Sequence, residues 1–377
     1  MKQIKPIALY FPQFHEIPEN NRWWGEGFTD WTNVKGAYPL FEGHHQPRVP
    51  LEGYYDLSQK DVIAHQIDLA KQYGVYGFAI YHYWFDGKQL LQKPKEMILN
   101  NKDLDIPFCL TWANETWARR WEGKDSEILQ EQTYEATHEK WKEHFYYIKP
   151  YLTDERAIRI DGKPVFQIYR PHLVTQVGDM LDYWRKLARE EGIGELYFMA
   201  IKSFDFPDNR ILDAFDGVLL FQPHEAVNSQ EYKGKKAVLE TLLRSFPERW
   251  VEKMRSIRNK MRSGCVIHSY TKVFDLVLNR DFHYKDKDIF NMAFLEWDNT
   301  ARYREKATVY QGCTPQIFEE YMMRLAKLES QKHDEGKQFL YINAWNEWAE
   351  GTYLEPDTDN GYAYLEALRR AVNRAAE

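Results

Sequence analysis

Eight apolar runs, each trailed by a polar or aromatic cluster, constrain this chain more than any other feature of its sequence. They span residues 7–12, 75–84, 107–114, 164–170, 196–203, 217–224, 292–299 and 339–345. Most are separated by stretches with apolar residues three and four apart, such as 61–71, 137–151, 178–191 and 315–332, and a last such stretch covers 361–375. Near-continuous apolar strands alternating with helices predict a parallel sheet with right-handed crossovers. Eight such units in one chain favour a closed α/β structure, the (β/α)8 TIM barrel, over an open doubly wound sheet. Residues 1–377 are then a single domain with long βα-loop insertions after the first run (13–57), the third (115–133) and the sixth (about 225–290). The last insertion is rich in charge and reads as exposed helices rather than a second core. No internal repeat, low-complexity tract or linker interrupts the pattern.

Aromatic residues make up 16% of the chain, with 13 Trp and 25 Tyr, so their placement matters. Trp23, Trp24 and Trp31 fall in the first long loop. Trp84 and Trp112 end strands, and Trp117 and Trp121 follow the third. Trp297, Trp345 and Trp348 belong to the last two. Trp141, Trp184 and Trp250 fall on helices. The strand C-termini and βα loops are where barrel enzymes carry their active sites. Indole faces pack against the C–H faces of sugar rings, so the clustering predicts a groove lined for sugar. The same end presents Gln13, His15, His82, Tyr83, Asn114, Glu115, Tyr169, Arg170, Gln222, His224, Asp298, Asn299 and Asn346. Polar groups crowded there are costly to bury without partners, and a solvated cleft that binds hydroxyls gives them a use.

Other classes are disfavoured. A net charge of -7 and a pI near 6.0 argue against nucleic acid and anionic membrane surfaces. No apolar run is long enough to span a bilayer. Residues 1–12 lack the h-region of a signal peptide, and Cys109, Cys265 and Cys313 read as reduced thiols; both suit a cytoplasmic protein. No metal-ligand spacing and no glycine-rich nucleotide cradle occurs, so no metal or cofactor is expected. His44 and His45 read as a surface-loop pair.

The run Asn343-Ala-Trp-Asn-Glu-Trp-Ala-Glu-Gly-Thr352 carries the chemistry. It places Glu347 and Glu350 three residues apart among indoles and amides, at the open end of a strand. Breaking or making a glycosidic bond needs one acid at the bridging oxygen and a second group as base or nucleophile. In an ideal strand, residues three apart face opposite ways, so the chain must turn between these two; Gly351 lets it turn sharply. Glu115, in the pair Asn114-Glu115, is a reserve catalyst. Its alternative role is a salt bridge to Arg119 or Arg120. Those arginines are either a solvated pair or a clamp on phosphate or an acidic sugar.

Several long motifs resemble the WbsX family, whose domain is of the glycoside hydrolase family 99-like type. They are Tyr10-Phe-Pro-Gln-Phe-His15, the stretch from Trp23 to Asn33, Tyr81-His-Tyr-Trp84, Trp112-Ala-Asn-Glu-Thr-Trp117, Trp297-Asp-Asn-Thr300 and residues 343–356. The resemblance runs from Ile7 past Tyr362. It implies a barrel acting on an α-glycosidic, by likeness α-mannosidic, bond of an oligosaccharide or polysaccharide. By the same likeness Glu347 is base toward the substrate's 2-hydroxyl and Glu350 is acid/base, giving retention. Substrate contacts are then expected from Tyr10, Trp31, His82, Tyr83, Trp84, Trp112, Asn114, Glu115, Trp117, Arg119, Tyr169, Gln222, Trp297, Asp298, Asn299, Trp345, Asn346 and Trp348. Two alternatives stand beside it: a glycosyltransferase of surface-polysaccharide biosynthesis, and a glycan-binding protein without catalysis.

Overall fold

A computed structural model describes residues 4–119, 124–229, 232 and 264–376. Eight parallel strands form a closed barrel: β1 Lys5–Tyr10, β2 Gly77–Phe85, β3 Phe108–Trp112, β4 Lys163–Ile168, β5 Tyr197–Lys202, β6 Gly217–Leu220, β7 Asp288–Phe294 and β8 Phe339–Asn343. Closure is direct. β1 pairs in parallel with β8 (Ile7 opposite Tyr341) and with β2 (Ile7 opposite Gly77). A closed ring leaves no barrel strand with an unpaired edge.

Helices Lys60–Gln72, Lys93–Asn100, His138–Thr153, Val177–Glu190, Tyr270–Leu278, Pro315–Lys332 and Ala363–Ala375 pack outside. Their starts follow local rules. Thr137 and Thr314 each accept a backbone N–H three residues on, at 3.3 and 3.2 Å, and Pro315 takes the first helical position. The β5–β6 connection has only a 3-10 turn, Asn209–Ala214.

Two strand ends differ from expectation. β7 starts at Asp288, four residues before the expected Met292, because Glu329 of a neighbouring helix satisfies the backbone N–H (3.1 Å) and side-chain amide (2.7 Å) of buried Asn291. Its expected far end, Trp297–Asp298, instead joins a small sheet with Thr308–Gln311 and Val266–Ser269. β6 stops at Leu220, and a short helix, His224–Asn228, begins after Pro223, whose missing N–H cannot continue a ladder. Half of the 225–290 insertion expected as exposed helices lies outside the described residues; its last part supplies the Tyr270–Leu278 helix. Among the described residues no helix is long and apolar enough to cross a membrane.

Candidate active site

The loops at the C-terminal ends of the strands enclose a cavity of ≈ 250 Å³. Phe11 and Gln13 extend β1 into it, Tyr81 and Tyr83 come from β2, and Tyr169 follows β4. A hairpin, Trp117–Arg119 against Lys124–Gln130, overhangs one side with Trp117 and Leu129. Trp24, Phe221, His224 and Tyr303 complete the aromatic wall, and Glu115, Glu347, Glu350 and Arg302 carry its charge.

The turn expected between the two acids is present. Asn346–Glu347 pairs with Thr352–Tyr353 in a tight antiparallel bridge, and Trp348–Glu350 makes one 3-10 turn between them. Both carboxyl groups thereby reach one cavity. Gly351 has φ of 62°, and a Cβ there would stand 2.8 Å from the Asp298 backbone, so only glycine fits.

Arg302, on the short helix Thr300–Tyr303 beyond β7, binds this pair. Its Nη1 donates to Glu350 Oε1 at 2.6 Å and its Nη2 to Asp30 Oδ2 at 2.7 Å; Nη2 also stands 3.6 Å from Glu347 Oε2. Burial lifts the Glu347 carboxyl well above the usual carboxylate range, repulsion from Glu350 adds to it, and Arg302 opposes it. Glu350 is raised too, by burial first, with Arg302 again opposing. The Glu350 side chain keeps 24% of its surface open and has the direct guanidinium contact, whereas Glu347 keeps 7% and its Oε2 accepts no hydrogen bond. Both carboxyls are therefore pushed toward the protonated form, Glu347 the more strongly.

The expected contacts divide. Tyr83, Glu115, Trp117 and Tyr169 line the cavity with the two acids. Glu115 pairs with Arg170 at 3.0 Å, not with Arg119 as expected. Strand alternation sends others outward. Tyr10 donates to Gln66 of the Lys60–Gln72 helix (2.6 Å). His82 meets His144 of the His138–Thr153 helix (2.9 Å), Trp84 stacks on the same ring, and Trp112 packs edge-on against it. Burial pushes the His82 and His144 rings well below the usual histidine range, so they pack as neutral groups.

The remainder secure loops. Asn114 ties β3 to β4 through the Arg170 backbone (2.7 and 2.9 Å). Asn346 accepts from and donates to the Phe11 backbone (2.7 and 2.9 Å). Asp298 accepts from His44 and Gln46 (2.7 and 2.5 Å), so His44 is buried and His45 alone is the exposed member of that pair. Asn299 accepts from Thr308 N, and Gln222 from Ala226 N. Arg119 is held by Glu127 (2.5 Å) and the Trp23 carbonyl (2.6 Å), away from the acids; Arg120, Trp121 and Trp250 lie outside the described residues. Trp31 donates to the Tyr55 carbonyl (2.7 Å), Trp297 backs His224, and Trp345 packs on Phe78 beneath the surface.

Trp348 donates to Glu355 at 2.6 Å, and Tyr55 (2.7 Å) and Gln66 (2.6 Å) donate to the same carboxylate. Burial raises Glu355 to about 7 against these donors. A raised carboxyl favours the folded state below the ordinary range, and that contribution is lost as pH climbs through about 7. Glu355→Ala leaves three donors, two of them on buried residues, without this acceptor. It is expected to cost about 2–4 kcal/mol, read as a lower urea midpoint at unchanged m-value.

Arg302, Tyr81, Tyr303, Phe221 and Asn20 line the cavity without having been expected there, whereas Trp24 belongs to the tryptophan cluster that was. Tyr81 was open to sequence reading, since it shares strand parity with Tyr83. For Arg302 the signal is weak: a cation four residues past Asp298, where three acids converge.

The uncharacterized protein WxcX of Xanthomonas campestris pv. campestris (strain B100) is 35% identical over 376 residues, covering 98% of this chain and 50% of that protein. The chain thus spans about half the length of the curated relatives it matches. A solved glycoside hydrolase-like protein superposes with a TM-score of 0.60 at 12% identity, covering 99% of this chain and 94% of its own. A GH99 endo-alpha-mannosidase from Bacteroides thetaiotaomicron, solved with bis-tris propane, gives a TM-score of 0.52 at 14% identity, covering 98% and 97%. Identities this low speak for the barrel fold alone. The sequence profile described as glycosyltransferase WbsX matches residues 6–368, and the chain belongs to that family.

Proposed function

We propose that this protein acts on an α-glycosidic bond, an α-mannosidic one by family likeness, of an oligosaccharide or polysaccharide, with Glu347 and Glu350 as its catalytic pair. Family and fold together support a carbohydrate-active enzyme. The observation that carries the finer reading is two carboxyl groups of raised pKa on the wall of one aromatic cavity at the C-terminal end of the barrel.

In this reading the substrate's 2-hydroxyl donates to the partnerless Oε2 of Glu347 and stabilises its anion. Glu350, also raised, is then the protonated member of the pair. Glu347 takes the 2-hydroxyl proton as that oxygen attacks the anomeric carbon, and Glu350 gives its proton to the leaving oxygen. Water then opens the 1,2-anhydro ring. Glu350 takes the water's proton and Glu347 returns the other to O2, giving net retention. Transfer would follow the same steps with an acceptor hydroxyl in place of water, a second reading favoured by the family's description. The cavity wall carries three acidic side chains and a single guanidinium, itself bound to Glu350, which suits a neutral glycan better than a nucleoside-diphosphate donor. Incubation with bacterial surface glycans and α-manno-oligosaccharides is expected to release new reducing ends, seen by mass spectrometry. No product from any glycan, with or without an added acceptor, would count against both readings.

A further inference from the structure

Adjacent asparagines on the short helix Pro18–Trp24 are used differently. Asn21 donates to Glu16 (3.1 Å) and accepts from Phe28 N (3.2 Å). Asn20 is fully buried, and neither its amide nitrogen nor its amide oxygen has a partner among the described residues. A buried amide with both ends unpaired destabilises the fold and requires a reason. Asn20 belongs to the wall of the catalytic cavity, with Gln13 and Trp24. An amide offers both a donor and an acceptor, and a hydroxyl answers both. A second orphan, Nδ1 of His224, belongs to the same wall. Around the barrel, Asn20 follows β1, the acids follow β8, Arg302 follows β7 and His224 follows β6. The two unused polar groups therefore flank the acids.

We infer that Asn20 is a substrate-binding residue whose amide pairs with a hydroxyl of the sugar unit seated beside Glu347 and Glu350. His224 serves the opposite flank. This inference rests on the functional reading above and adds a specificity contact to it. It also explains why the fold tolerates the orphan: functional sites retain groups that stability alone would remove.

Asn20→Leu has similar size and removes both polar atoms. With the α-manno-oligosaccharide turned over fastest in the glycan panel, the variant is expected to raise KM about tenfold, with a smaller change in kcat. Its Tm is expected to equal or exceed that of the parent. A purely structural Asn20 would give the reverse, a lower Tm at unchanged KM. Absence of turnover by the parent protein would defeat the functional reading itself. Turnover with an unchanged KM in Asn20→Leu would overturn this inference alone. Should that variant not fold, a crystal of Glu350→Gln soaked with the same oligosaccharide reads the contact directly. An Asn20 amide at hydrogen-bond distance from a sugar hydroxyl supports the inference, and an amide still unpaired in an occupied site overturns it.

Discussion

Glu347→Gln and Glu350→Gln are each expected to lower turnover of the cleaved glycan by about 10³-fold, the scale of a lost general acid or base. The fold should survive both changes. Gln keeps the shape of Glu and removes a charge that the site holds at a cost. Burial places Glu347 well above the usual carboxylate range, so ionising it works against the folded state as pH rises. The sign follows: relative to the parent, Glu347→Gln gains stability as pH climbs above about 4.5, and its Tm at pH 8 should not fall below the parent's. The two variants should part on aryl glycosides with activated leaving groups. Such groups depart without a proton, so loss of the acid matters little and loss of the base matters fully. Recovery is expected in Glu350→Gln and not in Glu347→Gln. The opposite pattern would exchange their roles. Parent-level turnover by both variants would end the catalytic assignment.

The barrel was legible because its strands are local events. Each apolar run is self-contained, and the helices between them repeat at a spacing the eye can follow. The start of β7 was hidden by Asn291, whose burial depends on Glu329, a residue 38 positions away. The acids were legible for the same local reason, lying within one short segment with the glycine that turns it. The tryptophans misled. Trp84 and Trp112 stand at strand ends, as an active-site residue would, but alternation points them at His144 and a helix. Tyrosines line much of the wall instead, and Trp24 and Trp117 are the indoles of that cavity among the described residues. Asn114, Asn346 and Asp298 fit a hydroxyl-binding pattern by type, yet their hydrogen bonds close on loop backbone and side chains. Chemical type was readable at each position. Partnership was not, because each partner arrives from another loop.

Arg302→Met tests the most distant of these partnerships. Arg302 and Asp30 are 272 residues apart, and no local pattern joins them. The guanidinium stands between Asp30 and Glu350 at 2.7 and 2.6 Å, with Glu347 at 3.6 Å. Met fills much of the same volume without charge, and three carboxyl groups then face one another with no cation between them. Breaking a buried pair in this way costs about 3–5 kcal/mol, or roughly a 5 °C fall in Tm for a chain of this size. The loss should depend on pH with a definite sign. Without the guanidinium, which opposes their rise, the Glu347 and Glu350 carboxyls go further above their unfolded values. The deficit is therefore small at acid pH, where they are protonated in both states, and grows toward neutrality. Asp30→Asn in the same protein should recover part of the lost stability, because it removes one of the uncompensated charges. Activity should not follow. The guanidinium also sets the proton balance between Glu347 and Glu350, so the double variant is expected to remain at least about 10²-fold below the parent, with its pH optimum moved upward. A double variant that recovers stability and turnover together would reduce Arg302 to a scaffold for the loops.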